Sequence, residues 1–288
     1  MKICLACNQR FESTGWMCPK CGEAPADGDF PSFAPFADDI AGSFPADAAP
    51  KLALLEAGSF WFRARNDLLL WALCRYFPSA RSFLEVGCGT GFVLAGLHSK
   101  LPDLRLVGGE LDPEGLRVAR RRLPEEVDLY RMDARRIPFE DEFDVVGAFD
   151  VLEHIDDDER VLQQLATAAT PGGGVLVTVP QHPSLWSASD DVALHRRRYT
   201  RSELLAKLDR ADLDVARVTS FVTLLLPGMF LNRKRIRSDE DAMRECALPP
   251  GVDRWLERTM RAERSLIRAG VSFPVGGSLL AVARTRAD

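Results

Sequence analysis

No run of about 18 uninterrupted apolar residues occurs in the sequence, so hydropathy gives no candidate for a membrane-spanning helix. The opening MKICLACNQR lacks the apolar core of a secretory signal, and the expected location is cytoplasmic. A disulfide framework is missing as well, because the seven cysteines are odd in number and four crowd into the first 21 residues. Excess positive charge is also absent. A formal net charge of −5 and an isoelectric point near 5.5 weigh against a nucleic-acid backbone as the main partner. Residues 23–50 contain no Lys or Arg, and no internal repeat is present. What the chain does have is 288 residues at 46% hydrophobic content, enough for one large domain and an appendage.

The appendage is residues 1–22. Cys4-x-x-Cys7 and Cys18-x-x-Cys21 are separated by ten residues and supply four thiolates, the ligand set of a tetrahedral structural zinc. So short a segment cannot bury enough apolar surface to fold alone, and metal binding would have to drive its folding. With all four positions filled by protein, a zinc ribbon is expected to be structural or to meet a partner protein. Residues 23–50 read as a Pro/Ala/Asp-rich linker broken by Pro25, Pro31, Pro35, Pro45 and Pro50. Phe30, Phe33, Phe36 and Phe44 make it too apolar for a purely solvated tether. The main domain is then 51–288. It starts with a helical pattern over 51–77 that Gly58-Ser59 divides, Ser59 being the expected second N-cap.

From Ser82 onward, short apolar runs alternate with helical segments. Strands are expected at 82–86, 104–110, 128–132, 143–149 and 174–180, and helices at 92–100, 113–123 and 158–167. Such alternation implies right-handed βαβ units and a mostly parallel sheet, with ligands beyond the carboxyl ends of the strands. The informative residues are therefore at those ends. Strand one runs into Glu85-Val-Gly87-Cys-Gly89-Thr-Gly91, whose glycines let backbone amides approach a ligand. Strand two ends in Glu110, placed to accept from ribose hydroxyls. Strand three is followed by Met132-Asp133-Ala134, an acceptor for an adenine amino group, and strand four ends in Phe149-Asp150 before Glu153-His154.

These motifs, E-V-G-C-G-T-G, G-G-E-L-D-P, M-D-A and F-D-V-L-E-H, resemble the successive motifs of class I S-adenosylmethionine-dependent methyltransferases from about Phe60 to Arg284. The resemblance implies an α/β, Rossmann-like seven-stranded sheet ordered 3-2-1-4-5-7-6 with strand 7 antiparallel and helices on both faces. Residues 213–222 and 277–285 would be the last two strands. It also implies that Glu85, Gly87 and Gly89 hold the methionine portion of S-adenosylmethionine, Glu110 the ribose and Asp133 the adenine. Gly91, Leu111, Ala134 and Phe149 complete that set. A dinucleotide-binding loop would put a third glycine at position 92, where Phe stands, and would leave Asp133 without a role. Two flanking stretches, Ser59–Asn66 and Pro180–Thr200, resemble bacterial small-molecule methyltransferases related to the ubiquinone-biosynthesis, type 11 and type 12 domains.

The acceptor side is thinner. His195 is the leading candidate for base or substrate orienter, with Tyr199 and Asp150 beside it as catalytic candidates and His182 a weaker one. Alternatively, His195 and Tyr199 anchor the 181–200 loop. Asp150, Glu153 and His154 resemble the E-x-x-E-H ligands of certain metal-dependent O-methyltransferases and could hold Mg; otherwise Glu153 and His154 cap the next helix. Arg196, Arg197, Arg198 and Arg201 form either a solvated face or an anion site. Residues 221–231, apolar and followed by Arg233, Lys234, Arg235 and Arg237, are core strand and surface helix, or else a lid or a peripheral membrane contact. Trp61, Phe62 and Arg63 are expected to close over the ligands. Met260, Trp255 and Leu256, on an amphipathic helix at 252–269, are expected in the core. The function expected is methyl transfer to oxygen or carbon of a small-molecule acceptor. The alternative is ribosomal RNA methylation with the ribbon binding RNA, and a third possibility is a non-catalytic sensor of S-adenosylmethionine.

Overall fold

The computed structural model describes residues 1–26, 28–34, 48–233 and 248–286. Two short ribbon strands, β1 (Lys2–Ile3) and β2 (Arg10–Phe11), pair antiparallel. The main sheet contains β3 (Ser82–Val86), β4 (Arg105–Glu110), β5 (Asp128–Arg131), β6 (Phe143–Phe149), β7 (Ala169–Pro180), β8 (Leu213–Phe221) and β9 (Ser278–Thr285). Their spatial order is β5-β4-β3-β6-β7-β9-β8. The first five are mutually parallel, and β9 is antiparallel to both β7 and β8. Strand limits differ in detail from the hydropathy pattern: β7 starts at Ala169 rather than Gly174.

Because successive strand side chains point to opposite faces, each apolar strand feeds two cores. Leu84, Val86, Val146, Ala148, Val175 and Val177 pack on one face with α5 (Asp158–Ala168) and α7 (Arg201–Arg210). Phe83, Leu106, Val145 and Leu176 pack on the other with α2 (Phe60–Tyr76), α3 (Phe92–Lys100), α4 (Pro113–Arg122) and α9 (Pro250–Arg268). Three shorter α-helices are α1 (Ala48–Glu56), α6 (Ala188–Val192) and α8 (Leu226–Arg233).

Helices α1 and α2 break at Gly58, as the pattern suggests, but Ser59 is not the side-chain cap. Asp253, on α9, accepts the Phe60 N–H at 2.6 Å and also pairs with Arg63. The capping carboxylate arrives from far along the chain. On α9, Met260 is buried as expected, whereas Trp255 is 61% exposed and outside the core. The apolar 221–231 stretch divides into the end of β8 and α8, where Phe230 and Leu231 are exposed; Lys234, Arg235 and Arg237 lie outside the described residues. No helix among the described residues is long and apolar enough to cross a membrane.

The ribbon is docked on the domain. Trp16 meets Phe33, Tyr130 and Phe139 edge to face, with ring centroids 4.4, 5.4 and 5.4 Å away. Ile3 N–H donates to Pro138 O and Glu140 N–H to Met1 O, while Arg136 reaches Leu5 O. Beyond the ribbon, Phe33 N–H donates to Arg131 O and Arg131 N–H to Pro31 O, so residues 31–33 lie alongside β5. Pro35, Phe36, Phe44 and Pro45 of the linker fall outside the described residues.

Candidate functional site

The glycine loop leaves β3 at the point where strand order reverses between β3 and β6. Gly87, Gly89 and Gly91 all have positive φ, at 74°, 50° and 73°. Two of them are needed for space as well: a Cβ on Gly87 would meet Val151 Cγ2 at 2.4 Å, and one on Gly91 would meet Leu123 Cδ1 at 2.9 Å. At Gly89 a Cβ would meet nothing within 4 Å, so the loop has an open side there. The closed side is braced from α1 and α4. Glu56 accepts from Thr90 Oγ1 at 2.5 Å and pairs with Arg122 at 2.7 Å.

Two carboxylates flank this loop. Glu85 is 2% exposed, and its Oε2 has no hydrogen-bond partner. Burial pushes its carboxyl up to about 8, against the pull of the Arg65 cation. Glu110 is tied into the backbone: Oε2 accepts from Gly89 N–H at 2.8 Å, and Oε1 from the N–H groups of Leu111 and Asp112 at 2.7 and 2.9 Å. Burial raises its carboxyl too, and these amides oppose the rise. A carboxylate has about four acceptor positions, so roughly one remains for a ligand hydroxyl.

Asp133 lies after β5 and is gripped by Arg135, whose Nε lies 2.9 and 3.0 Å from its two oxygens. Its burial opposes ionisation, but the Arg135 hydrogen bonds outweigh it and hold the carboxyl below its ordinary value. A ligand amino group would therefore share Asp133 with a guanidinium. Ala134 and Phe149 are buried, and the Phe149 ring stacks on Phe83 in the core.

The sequence directed attention to Arg63, but Arg65 is the arginine that enters the site. Arg63 turns to Asp253, whereas Arg65 is buried, pairs with Asp150 and lies over Trp61 with Cζ 4.6 Å from the ring centroid. The signal for this lies in helical spacing. Trp61, Arg65, Leu68, Leu69 and Ala72 share one helix face, most of it buried. Asp150 itself has φ 57° and is committed to Arg65, so it does not join Glu153 and His154 as the sequence pattern suggested.

Glu153 and His154 form a 3-10 turn after β6 and do not cap α5; Asp157 does, accepting from Arg160 N–H. Glu153 is fully buried, neither carboxylate oxygen has a hydrogen-bond partner, and burial drives its carboxyl well above the usual range. The His154 ring lies 4.9 Å from the His195 ring, and burial followed by the His195 neighbour holds it down to about 4. His195 has Nδ1 2.9 Å from Asp190 Oδ1 and Nε2 3.9 Å from Glu153 Oε1. Asp190, which the sequence did not single out, is buried and also takes Arg198 at 2.7 Å and Ser187 N–H at 2.9 Å.

Tyr199, expected either as a catalytic candidate or as an anchor of the 181–200 loop, lies in the core. It is fully buried, donates to Asp158 at 2.6 Å, and has its phenol pushed up by burial and by that carboxylate. His182 has φ 63° at the start of the same loop, and its buried Nε2 lacks a partner. Within the arginine run, Arg196 is exposed and pairs with Asp156, Arg197 pairs with Asp158, and Arg198 is buried against Asp190. In the ribbon, Cys4 Sγ and Cys21 Sγ are 3.6 Å apart and Cys7 Sγ and Cys18 Sγ 3.7 Å, and all four thiols are free of disulfides. Zinc–sulfur bonds of about 2.3 Å in a tetrahedron need sulfurs roughly 3.8 Å apart, which this cluster matches.

Residues 84–177 match a family model described as Methyltransferase domain. The chain is 30% identical over 165 residues to a Mycolicibacterium smegmatis protein named "Probable S-adenosylmethionine-dependent methyltransferase"; the match spans 56% of this chain and 62% of that protein. It is 31% identical over 98 residues to the ubiquinone/menaquinone biosynthesis C-methyltransferase of Desulfotalea psychrophila, spanning 33% of this chain and 40% of that one. The chain thus spans less than two thirds of either relative. Among solved structures, the S-adenosyl-L-methionine complex of Haemonchus contortus phosphoethanolamine N-methyltransferase 2 shares the fold. Its TM-score is 0.52 at 20% identity, over 77% of this chain and 52% of that one.

Proposed function

We propose that this chain binds S-adenosylmethionine across the carboxyl ends of β3, β4 and β5 and methylates a small-molecule acceptor at oxygen or carbon. The observation that carries the reading is the buried, partnerless carboxylate oxygen of Glu85 beside the open side of Gly89. A buried acceptor without a partner is costly, and a cationic ligand head would satisfy it. Glu85, Gly87 and Gly89 would hold the methionine portion, with Gly91 closing the loop. Glu110 and the adjoining Leu111 would meet the ribose, and Asp133 and Ala134 the adenine. The bound molecule supplies a methyl group already activated by its sulfonium. The chain's own residues orient the two reactants and exclude water.

Zinc in the Cys4, Cys7, Cys18 and Cys21 cluster belongs to the same proposal, with a structural role. The ribbon's charge favours a small acceptor. Lys2, Arg10 and Lys20 are the only basic residues in 1–50. Lys2 bonds to Ser13 O and Gly15 O and lies over Trp16, and Arg10 pairs with Glu140. A ribbon with three cations, two of them so engaged, lacks the positive groove of an RNA reader. The relatives named above as methyltransferases, one of them in quinone biosynthesis, support a small acceptor. Purified protein incubated with methyl-labelled S-adenosylmethionine and separate small-molecule and RNA fractions of host cells tests the reading. Label is expected among small molecules; label confined to RNA overturns it.

A further inference from the structure

We propose that Glu153, His154 and His195 form a binding site for a divalent transition-metal ion, separate from the ribbon. One donor atom from each of the three lies within 4.8 Å of the other two. An ion about 2.1 Å from each donor would space them roughly 3 to 3.5 Å apart, so only small side-chain movements close the site. The fold assembles it from two elements. The 3-10 turn after β6 carries Glu153 and His154, and the loop after α6 returns His195 to them, fixed by Arg196 N–H donating to Glu153 O at 2.7 Å.

Two observations point to a ligand. The Glu153 carboxylate is sealed from solvent with neither oxygen hydrogen-bonded, a state that a cation between it and the imidazoles relieves. Second, the His195 ring is held from behind as metal-binding histidines are: Nδ1 meets buried Asp190, itself fixed by Arg198 and Ser187, and Nε2 is directed toward Glu153. His154 is oriented by backbone hydrogen bonds at Asp150 and Leu194. Two imidazole nitrogens and one carboxylate suit zinc, cobalt, nickel or iron better than magnesium. Asp150 is excluded from the set by its ion pair with Arg65.

Three protein donors leave coordination positions for water or for an acceptor bearing oxygen. That role toward an acceptor rests on the methyltransferase reading; metal binding does not. Full-length protein with zinc-loaded ribbon, titrated with cobalt(II), tests the site by visible absorption and by metal content after gel filtration. We expect one cobalt per chain beyond the ribbon zinc, without sulfur-to-metal charge-transfer bands. Asp190→Asn should weaken binding roughly ten- to hundredfold through the positioning of His195, and His195→Ala at least as much. Should Glu153→Gln fail to fold, His195→Ala carries the test, because that side chain is partly exposed. Absence of a second equivalent, charge-transfer bands on the added cobalt, or unchanged affinity in His195→Ala overturns the proposal. S-adenosylmethionine affinity measured by calorimetry on the same samples separates this failure from failure of the methyltransferase reading.

Discussion

Arg65 on α2 and Asp150 at the end of β6 form an ion pair, and the guanidinium opposes the rise that burial imposes on the Glu85 and Glu153 carboxyls. Trp61 and Phe62 cover its outer side, with ring centroids 4.6 and 5.5 Å from Cζ. A planar fork under aromatic cover is a defined shape that lysine does not reproduce. Arg65→Lys should weaken S-adenosylmethionine binding about tenfold, and Arg65→Ala more, by about 2–3 kcal/mol, the range for a hydrogen bond to a charged group. Isothermal calorimetry checks both. Equal dissociation constants for wild type and Arg65→Ala would remove Arg65 from the site.

Glu85 makes both stability and ligand affinity depend on pH. Its carboxyl titrates at about 8 in the folded protein against an ordinary 4.5. The folded state therefore holds this proton more tightly than the unfolded chain. Stability from this group is fully present below about 4.5 and is lost as pH rises toward 8. A cationic ligand head favours the ionised form, so S-adenosylmethionine affinity should rise by up to about tenfold per pH unit between pH 6 and 8 and level off above. Glu85→Gln should abolish that slope. Binding curves at pH 6, 7, 8 and 9 for both proteins decide the matter, and parallel curves would sink the idea.

Gly87 and Gly89 make different demands, and alanine separates them. At Gly87 the new Cβ would collide with Val151 in a left-handed backbone, so Gly87→Ala should lose at least about 2–3 kcal/mol of stability. At Gly89 only the backbone penalty applies, about 1 kcal/mol. The same methyl would occupy the loop's open side, so Gly89→Ala should weaken cofactor binding far more than folding. Denaturant midpoints beside calorimetric affinities test the contrast; a folding loss in Gly89→Ala as large as in Gly87→Ala would contradict it.

Trp16 couples the ribbon to the sheet through Phe33, Tyr130 and Phe139. Trp16→Ala should lower stability by about 2–3 kcal/mol, less than a full core truncation because the ring is only half-buried. Stripping metal from the four thiols with a strong chelator should lower the Tm of the wild-type protein and red-shift tryptophan emission. In Trp16→Ala the chelator should change Tm much less. Identical chelator responses in the two proteins would mean the ribbon is energetically independent of the domain.

The sequence made the strand ends legible because their determinants are local. Each apolar run and the glycine loop after Glu85 announce themselves within ten residues or so, by pattern and by backbone need. What it hid was non-local. Asp253 caps α2 at Phe60 from the far end of the chain, while Ser59, the local candidate, leaves that job undone. Arg63 and Arg65 are indistinguishable by composition, and only the packing of α2 decides which one is buried. Tyr199, in a polar loop, read equally as catalytic or as an anchor, and only the packing puts it under α5 and α7, where Asp158 receives its hydroxyl. His195 and Glu153 each stood out in the sequence as candidates, but their meeting and the part of Asp190 did not, because a loop closure brings the three together.

The few linker residues alongside β5 have a consequence for how the molecule behaves in a crowd. Strand β5 is the outermost strand on its side of the sheet, and Arg131 would otherwise offer its amide and carbonyl to any passing chain. Residues 31–33 occupy those groups, and the ribbon's aromatic anchor keeps them there. Open strand borders recruit copies of themselves into aggregates. The N-terminal appendage thus acts as a guard rail, and a version of the chain beginning at α1 would expose a border ready for self-association.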